Sequence, residues 1–321
     1  MQKIFIDGQA GTTGLRIHEY LAGREEFALL EIADADRKRD AAKHDLIREA
    51  DVVILCLPDE AAIETVKLAA DTNARILDAS TAHRVSPGWV YGLPELKAGQ
   101  RHEIENARWV SNPGCYPTGF LLLIRPLVER GLLAPSLTLS ISALSGYTGG
   151  GRKMVERYEA RAASHPEALW HCRPYALDMN HKHLPEMQAY ANLEHSPLFL
   201  PSVGHFPQGM LVSVPLSFDW LPANTTLDDI TEALKQQYDG EPCVQVAETN
   251  DGSALDAGQL SPLECVNTNR VDLFVYGNDE RAVLVARLDN LGKGAGGAAV
   301  QNLNIMLGLE ELSGLNVRNN D

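Results

Sequence analysis

The sequence predicts an α/β protein in two domains: a doubly wound parallel sheet in the first third of the chain and an α+β domain behind it. Three observations carry that prediction. Short β-rich runs alternate with helical ones from the start of the chain, a glycine turn joins the first strand to the first helix, and a second glycine turn precedes a closing apolar helix. With 321 residues, 45% of them hydrophobic and 22% charged, the chain has material for two ordinary globular cores.

Residues 3–7 read as a buried strand that runs into Gly8-Gln9-Ala10-Gly11-Thr12-Thr13-Gly14, and residues 15–21 as a helix. Strand, glycine turn, helix is the order a dinucleotide site requires. Gly8, Gly11 and Gly14 let the backbone approach a pyrophosphate, while Thr12 and Thr13 open a helix whose first amides bind its charge. Residues 29–33, 52–57 and 75–77 continue the β-runs, with residues 60–70 helical between them. The second run ends at Asp34-Ala35-Asp36-Arg37-Lys38-Arg39. A carboxylate there suits a free ribose and a cation suits a 2′-phosphate; three consecutive cations, including Arg37 and Lys38, favour NADP(H). After the fourth run comes Asp78-Ala79-Ser80-Thr81-Ala82-His83-Arg84, which makes Ser80 a cofactor candidate and Arg84 a candidate anion holder; a Gly-Leu-Pro-Glu loop follows at residues 92–95.

Ser111-Asn112-Pro113-Gly114-Cys115-Tyr116-Pro117-Thr118-Gly119 places one thiol ahead of an apolar helix, residues 120–133, which Gly131 and Pro135 end. Cys115 is expected just before the first helical turn, where unpaired amides and the macrodipole favour thiolate over thiol. Residues 138–144 alternate as a strand of the second domain and lead to Ser145-Gly146-Tyr147-Thr148-Gly149-Gly150-Gly151-Arg152. Ser145 and Gly146 can line a small ligand closely, and Arg152 offers a fork for carboxylate or phosphate. Next comes Asn180-His181-Lys182-His183-Leu184-Pro185-Glu186-Met187, whose two histidines face one way on an extended segment, so that one can move protons beside the sulfur. His205, in Val203-Gly204-His205-Phe206-Pro207-Gln208-Gly209, is a further candidate. His181, His183 and Glu186, or His171 and Cys172, could ligate metal, but no three-ligand spacing appears, so no metal site is expected.

Residues 284–288 form a strand, followed by Asp289-Asn290-Leu291-Gly292-Lys293-Gly294-Ala295-Gly296-Gly297 and a helix carrying Val300, Leu303 and Met306. This segment can return to the nucleotide domain, with Asn290 and Gly294 placing the nicotinamide. The expected dinucleotide-binding domain is residues 1–115 plus 292–321, and the substrate and oligomerisation domain is residues 116–291.

A net charge of −15 argues against nucleic acid and anionic membrane as partners. An anionic substrate must then meet local cations. Five cysteines without a close pair suit a reducing cytoplasm, and no apolar run reaches the ~18 residues of a membrane span.

Taken together, Gly8 to Gly14, Tyr91 to Leu96, Ser111 to Gly119, Ser145 to Arg152, His181 to Met187 and the segment Asp289 to Gly308, which includes Gln301-Asn302, resemble the N-acetyl-γ-glutamyl-phosphate reductases of arginine biosynthesis, in their shorter, type 2 variety. The aspartate-semialdehyde dehydrogenases are wider relatives. The resemblance implies a two-domain plan with a Rossmann fold, NADP(H) as cofactor and a small acyl-phosphate substrate, with assembly into dimers or tetramers. It also implies Cys115 as nucleophile, His181 as acid/base and His183 as a pocket residue; longer members carry His-Arg-His where Lys182 stands here. By the implied route, Cys115 forms a thioester, hydride reduces it, and the thiohemiacetal collapses to the semialdehyde. Amides at the start of the helix are expected to face the oxyanion, and Arg84, Arg152 and Lys182 are the expected phosphate holders. Two rivals remain open at this point: a reductase of aspartyl or carrier-bound aminoadipyl phosphate, and a catalytically silent NADP sensor.

Overall fold

Strands that are apolar on both faces need cover on both sides, and the order of elements supplies it. The computed structural model describes residues 1–33, 35–37 and 39–318. Its elements run β1 (Gln2–Asp7), α1 (Thr12–Leu21), β2 (Phe27–Leu30), α2 (Asp40–Glu49), β3 (Val52–Leu55), α3 (Asp59–Leu68), β4 (Arg75–Asp78), β5 (Val90–Tyr91), α4 (Gln100–Asn106) and β6 (Trp109–Ser111). They continue with α5 (Cys115–Glu129), β7 (Ser140–Gly146), α6 (Arg152–Ser164), β8 (Cys172–Pro174), α7 (Leu184–Tyr190), β9 (Leu198–Gly204), β10 (Met210–Ser217), α8 (Leu227–Gln237) and β11 (Val244–Val246). A small hairpin, β12 (Leu255–Asp256) and β13 (Gln259–Leu260), precedes β14 (Val271–Gly277), β15 (Arg281–Leu288), a π-helical turn (Gly292–Gly296) and α9 (Gly297–Met306). The chain divides into two compact units, Met1–Gly114 with Ala295–Leu315, and Cys115–Gly294 with the chain from Asn316.

In the first unit six parallel strands lie in the order β2-β1-β3-β4-β6-β5. Side chains alternate across the sheet, so Ile4, Ile6, Ile54 and Leu77 pack with Ile17, Leu21, Ile104, Val300 and Leu303 on one face. Phe5, Val53, Leu55 and Ile76 pack with Ile47, Ala50 and Ala62 on the other. The doubly wound class follows directly from that alternation. Arg75 ties the helix ends together: its guanidinium donates to the carbonyls of Glu105 at 2.7 Å and Ile104 at 3.2 Å at the end of α4, and to that of Met306 at the end of α9.

The second unit is built on a mixed seven-stranded sheet, β11-β14-β15-β10-β7-β9-β8. α5 is apolar nearly all round, as befits a helix packed on β10 and β15 and flanked by α7 and α8. Gly119 permits that approach, because a Cβ there would lie 3.1 Å from both Ala286 Cβ and Val212 Cγ2. Pro126 lies inside α5 and has no N–H for the carbonyl of Leu122. The buried Tyr238 hydroxyl donates to that oxygen at 2.7 Å. Tyr238→Phe is therefore expected to cost about 1–3 kcal/mol, read as a lower urea midpoint with unchanged slope. An unchanged midpoint would show that the helix repairs the gap by itself.

Some sequence expectations shift. β2 occupies Phe27–Leu30 instead of residues 29–33, and α5 ends at Glu129 instead of residue 133. Cys115 does not precede the helix but is its first residue. Proline is tolerated anywhere in a first turn, where N–H groups have no intrahelical partner, so Pro117 allows two helical residues ahead of it.

Candidate active site

β6 ends at Ser111, and four residues later the chain starts α5 with Cys115. Asn112 fixes that approach. Its N–H donates to Asp78 O at 2.7 Å, its amide donates to Ala295 O at 3.0 Å, and it accepts from Asn302 Nδ2 at 3.1 Å and from Arg84 Nε at 3.0 Å. Asn302 also donates to Gly92 O at 2.7 Å, and a Cβ on Gly92 would stand 2.5 Å from the Asn302 amide. That contact explains the glycine of the Gly-Leu-Pro-Glu loop. Arg84 is buried and also donates to Ala79 O at 3.3 Å.

Cys115 is half-buried, and Gly294 packs against it so tightly that a Cβ there would lie 2.8 Å from the Cys115 Cβ. Tyr116 and Tyr175 lie close enough to feel charge on its sulfur, and two imidazoles pack against these phenols. The rings of His181 and His183 are 4.7 Å apart, Tyr116 lies 5.9 Å from each of them, and Tyr175 lies 5.7 Å from His181. The His183 backbone N–H donates to His181 Nδ1 at 3.1 Å, which leaves the ring proton of neutral His181 on Nε2. Nε2 faces Tyr175 Oη at 3.3 Å, and Tyr175 donates to Tyr116 Oη at 3.3 Å. Burial holds Tyr116 well above the usual phenol range, with Tyr175, Cys115 and a hydrogen bond to Tyr175 adding to the rise while Ser145 opposes it. Burial pushes Tyr175 up to about 12, with Cys115 again contributing. Both phenols therefore remain protonated donors near neutrality, and both feel charge on the sulfur.

Ser145 joins this group through Tyr116 and donates to Gly146 O at 3.1 Å. Gly146 is glycine because a Cβ would meet Pro207 O at 2.4 Å. Asn290 is buried and braces two loops, accepting from Gly209 N at 2.9 Å and donating to Thr148 Oγ1 at 2.9 Å. His205 is grouped elsewhere, 5.8 Å from Tyr158 and 6.2 Å from Tyr147 by ring centres. Arg152 is exposed and paired with Glu156 at 2.8 Å, and Lys182 is exposed. Sequence reasoning gave no role to Asn112, Tyr116, Tyr175 or Asn302; nothing in the spacing of Tyr175 and His181 marks them as partners.

In the first unit the glycine turn joins β1 to α1 with little room for side chains. Gly8 takes φ +92°, and a Cβ there would strike Cys56 O at 2.4 Å; at Gly14 it would strike Gly8 O at 2.6 Å. Gly11 differs, since a Cβ would reach only an ordinary 3.5 Å from Gly8 O. Its bareness is thus not demanded by the protein's own packing and leaves room for a ligand. Gly11 also caps α1 without a side-chain hydrogen bond, which suits the amides of Thr12 and Thr13 to a pyrophosphate. Ser80 follows β4, buried, with its hydroxyl on Asp78 Oδ2 at 2.8 Å. Arg37 is half-buried, whereas Asp34 and Lys38 lie outside the described residues. Among the described residues no group of three His, Cys, Asp or Glu side chains could hold a metal ion, and no helix is long and apolar enough to cross a membrane.

Comparison with known proteins bears on this arrangement. Residues 115–290 match the model of the semialdehyde dehydrogenase dimerisation domain, and residues 29–107 match that of the semialdehyde dehydrogenase NAD binding domain. The chain is 49% identical to N-acetyl-gamma-glutamyl-phosphate reductase 2 of a Nostoc species, over 98% of this chain and 99% of that one. It is 47% identical to the N-acetyl-gamma-glutamyl-phosphate reductase of Brucella anthropi, over 95% and 98%. Among solved structures, aspartate semialdehyde dehydrogenase II of Vibrio cholerae shares the fold with a TM-score of 0.74 at 15% identity, covering 96% of this chain and 98% of that one. The Candida albicans aspartate semialdehyde dehydrogenase, solved with NADP, does so with a TM-score of 0.68 at 14% identity, covering 96% and 99%.

Proposed function

The chain belongs to the N-acetyl-gamma-glutamyl-phosphate reductase family, and we propose that within it Cys115 is the nucleophile and His181 the acid/base group. It is an NADP-dependent oxidoreductase that converts N-acetyl-L-glutamyl 5-phosphate to N-acetyl-L-glutamate 5-semialdehyde and phosphate, a step of arginine biosynthesis. The observation that carries the assignment of roles is the thiol at the first residue of α5, with Tyr116 and Tyr175 within reach of its charge and His181 hydrogen-bonded to Tyr175.

The residues act in order. The positive end of the fifteen-residue α5 favours the Cys115 thiolate, which bonds to the γ-acyl carbon as phosphate departs and takes up a proton. His181 Nε2–H hydrogen-bonds the carbonyl oxygen as it becomes negative. NADPH, when bound, supplies the hydride. His181 meets the same oxygen again as the thioester is reduced, and the thiohemiacetal then expels Cys115 as thiolate, freeing the aldehyde. Gly8, Gly11, Thr12, Thr13 and Gly14 would hold the pyrophosphate, with Ser80 beside the nicotinamide side of the sheet edge and Arg37 toward the 2′-phosphate. The exposed Lys182, and Arg152 on release from Glu156, would meet the substrate phosphate, while Arg84 secures Asn112. The boundaries expected from the sequence after residues 115 and 291 move by one and three residues, so the unit Cys115–Gly294, with the thiol, serves substrate and assembly, and Met1–Gly114 with Ala295–Leu315 serves the cofactor. The dimerisation-domain match supports a homo-oligomer, a dimer or tetramer, and five free thiols support a reducing cytoplasm.

The test runs the reaction backwards with semialdehyde, phosphate and NADP, following NADPH absorbance. N-acetylglutamate semialdehyde is expected to outpace aspartate semialdehyde by about 100-fold or more in kcat/KM, because a site built around buried polar groups rejects a substrate that leaves them unpaired. A faster reaction with the aspartate compound would overturn the substrate.

A further inference from the structure

Tyr175 has a geometry that packing alone does not require. Its phenol stands between His181 and a second phenol, Tyr116. At one end the His183 N–H can only donate, so His181 Nδ1 must accept, at 3.1 Å. Beyond it His181 Nε2 faces Tyr175 Oη at 3.3 Å, and Tyr175 donates to Tyr116 Oη at 3.3 Å. Nε2–H therefore donates to the Tyr175 oxygen, and the opposite orientation has no consistent set of protons.

The backbone holds the two residues at this spacing against resistance. Tyr175 is anchored to the sheet by its N–H on Pro201 O at 3.0 Å, and His181 is anchored at α7 by accepting from Leu184 N at 3.0 Å. Between these anchors Ala176 and Met179 take φ of 50° and 59°, left-handed conformations that residues with a Cβ seldom adopt. Such conformations persist where the surroundings over-determine them, and here the surroundings are the two anchors and the Tyr175–His181 contact.

We propose that Tyr175 is a positioning residue for the reduction: its oxygen keeps the His181 Nε2–H in one tautomer and one ring plane until the substrate oxygen replaces it as acceptor. This rests on His181 being the acid/base group and says how that group is kept ready. Tyr116, accepting from Tyr175, keeps the phenol proton turned away from Nε2 and so keeps the imidazole a donor.

A double-mutant cycle tests it, in the assembled full-length enzyme. Tyr175→Phe keeps the ring and its packing and removes only the oxygen. It is expected to lower kcat about tenfold with KM for the acyl phosphate within about twofold of wild type. In a His181→Ala background the same change is expected to have no further effect on the residual rate, because Tyr175 acts only through the imidazole. A merely structural role would give the same factor in both backgrounds and would overturn the proposal, as would a wild-type kcat for Tyr175→Phe. A wild-type rate for His181→Ala alone would overturn the acid/base assignment and the proposal with it, a result the single variant shows by itself.

Discussion

Cys115→Ala is expected to lower reductase activity by about 10⁴-fold or more while leaving NADPH affinity within about twofold. The asymmetry follows from where each group sits in the chain. The cofactor's pyrophosphate is assigned to the turn from Gly8 to Gly14 and the start of α1, whereas the sulfur begins α5. Removing the sulfur deletes the atom that holds the acyl group, and neither His181 nor the phenols can form an equivalent thioester. Thiol labelling gives an independent reading of the same claim. Cys243 and Cys265 are fully buried, Cys265 is pushed up to about 12 by burial and Asp272, and Cys56, half-buried just after β3, is pushed up to about 12 by burial and then by Asp78 and Asp7. Only Cys172 is exposed, so the measurement belongs in a Cys172→Ser background. There, iodoacetamide at neutral pH is expected to modify one thiol quickly, Cys115, and activity is expected to fall in step. Appreciable turnover by Cys115→Ala, or equal labelling of all four remaining thiols, would sink the covalent route.

The parts of this site that were legible in the sequence are those in which one short segment does the whole job. The turn from Gly8 to Gly14 was legible from its glycine spacing, and φ at Gly8 with the close approaches at Gly8 and Gly14 excludes larger residues at those two positions. The helix α5 was legible from Pro117 and the apolar run behind it. Doubly wound architecture was legible from the alternation of strand and helix. What stayed hidden depends on pairs far apart in sequence. Tyr238 repairs the gap left by Pro126 from 112 residues away, and Asn302 reaches back 190 residues to hold Asn112. No local pattern encodes such partners; each is an ordinary tyrosine or asparagine until the fold delivers it. Position 115 itself moved from before the helix to its first residue, since a first-turn proline does not mark where helical dihedrals begin. His205 is a related case. As a sequence it rivals His181, and only the fold separates them, placing one with Tyr116 and Tyr175 and the other with Tyr147 and Tyr158.

That separation makes the second large effect specific. His181→Ala is expected to reduce kcat by about 10²–10³-fold, and His205→Ala by less than about threefold. The reasoning turns on what a neutral imidazole can do in this position. Because Nδ1 accepts from the His183 N–H at 3.1 Å, the ring can offer only a donor at Nε2, and it does not take the thiol proton through Nδ1. On the proposed route, ionisation of Cys115 is left to the field of α5, and His181 serves the oxygen that gains charge at both tetrahedral stages. Its loss should therefore slow two separable events by similar factors: the release of phosphate in a single turnover, and the hydride transfer that follows. His181→Gln, which can still present an N–H, should recover part of both. If only one of the two events slowed, the imidazole would be serving a single stage; if His205→Ala reproduced the full loss while His181→Ala did not, the acid would belong to the Tyr147–Tyr158 group and the tautomer argument would fail with it.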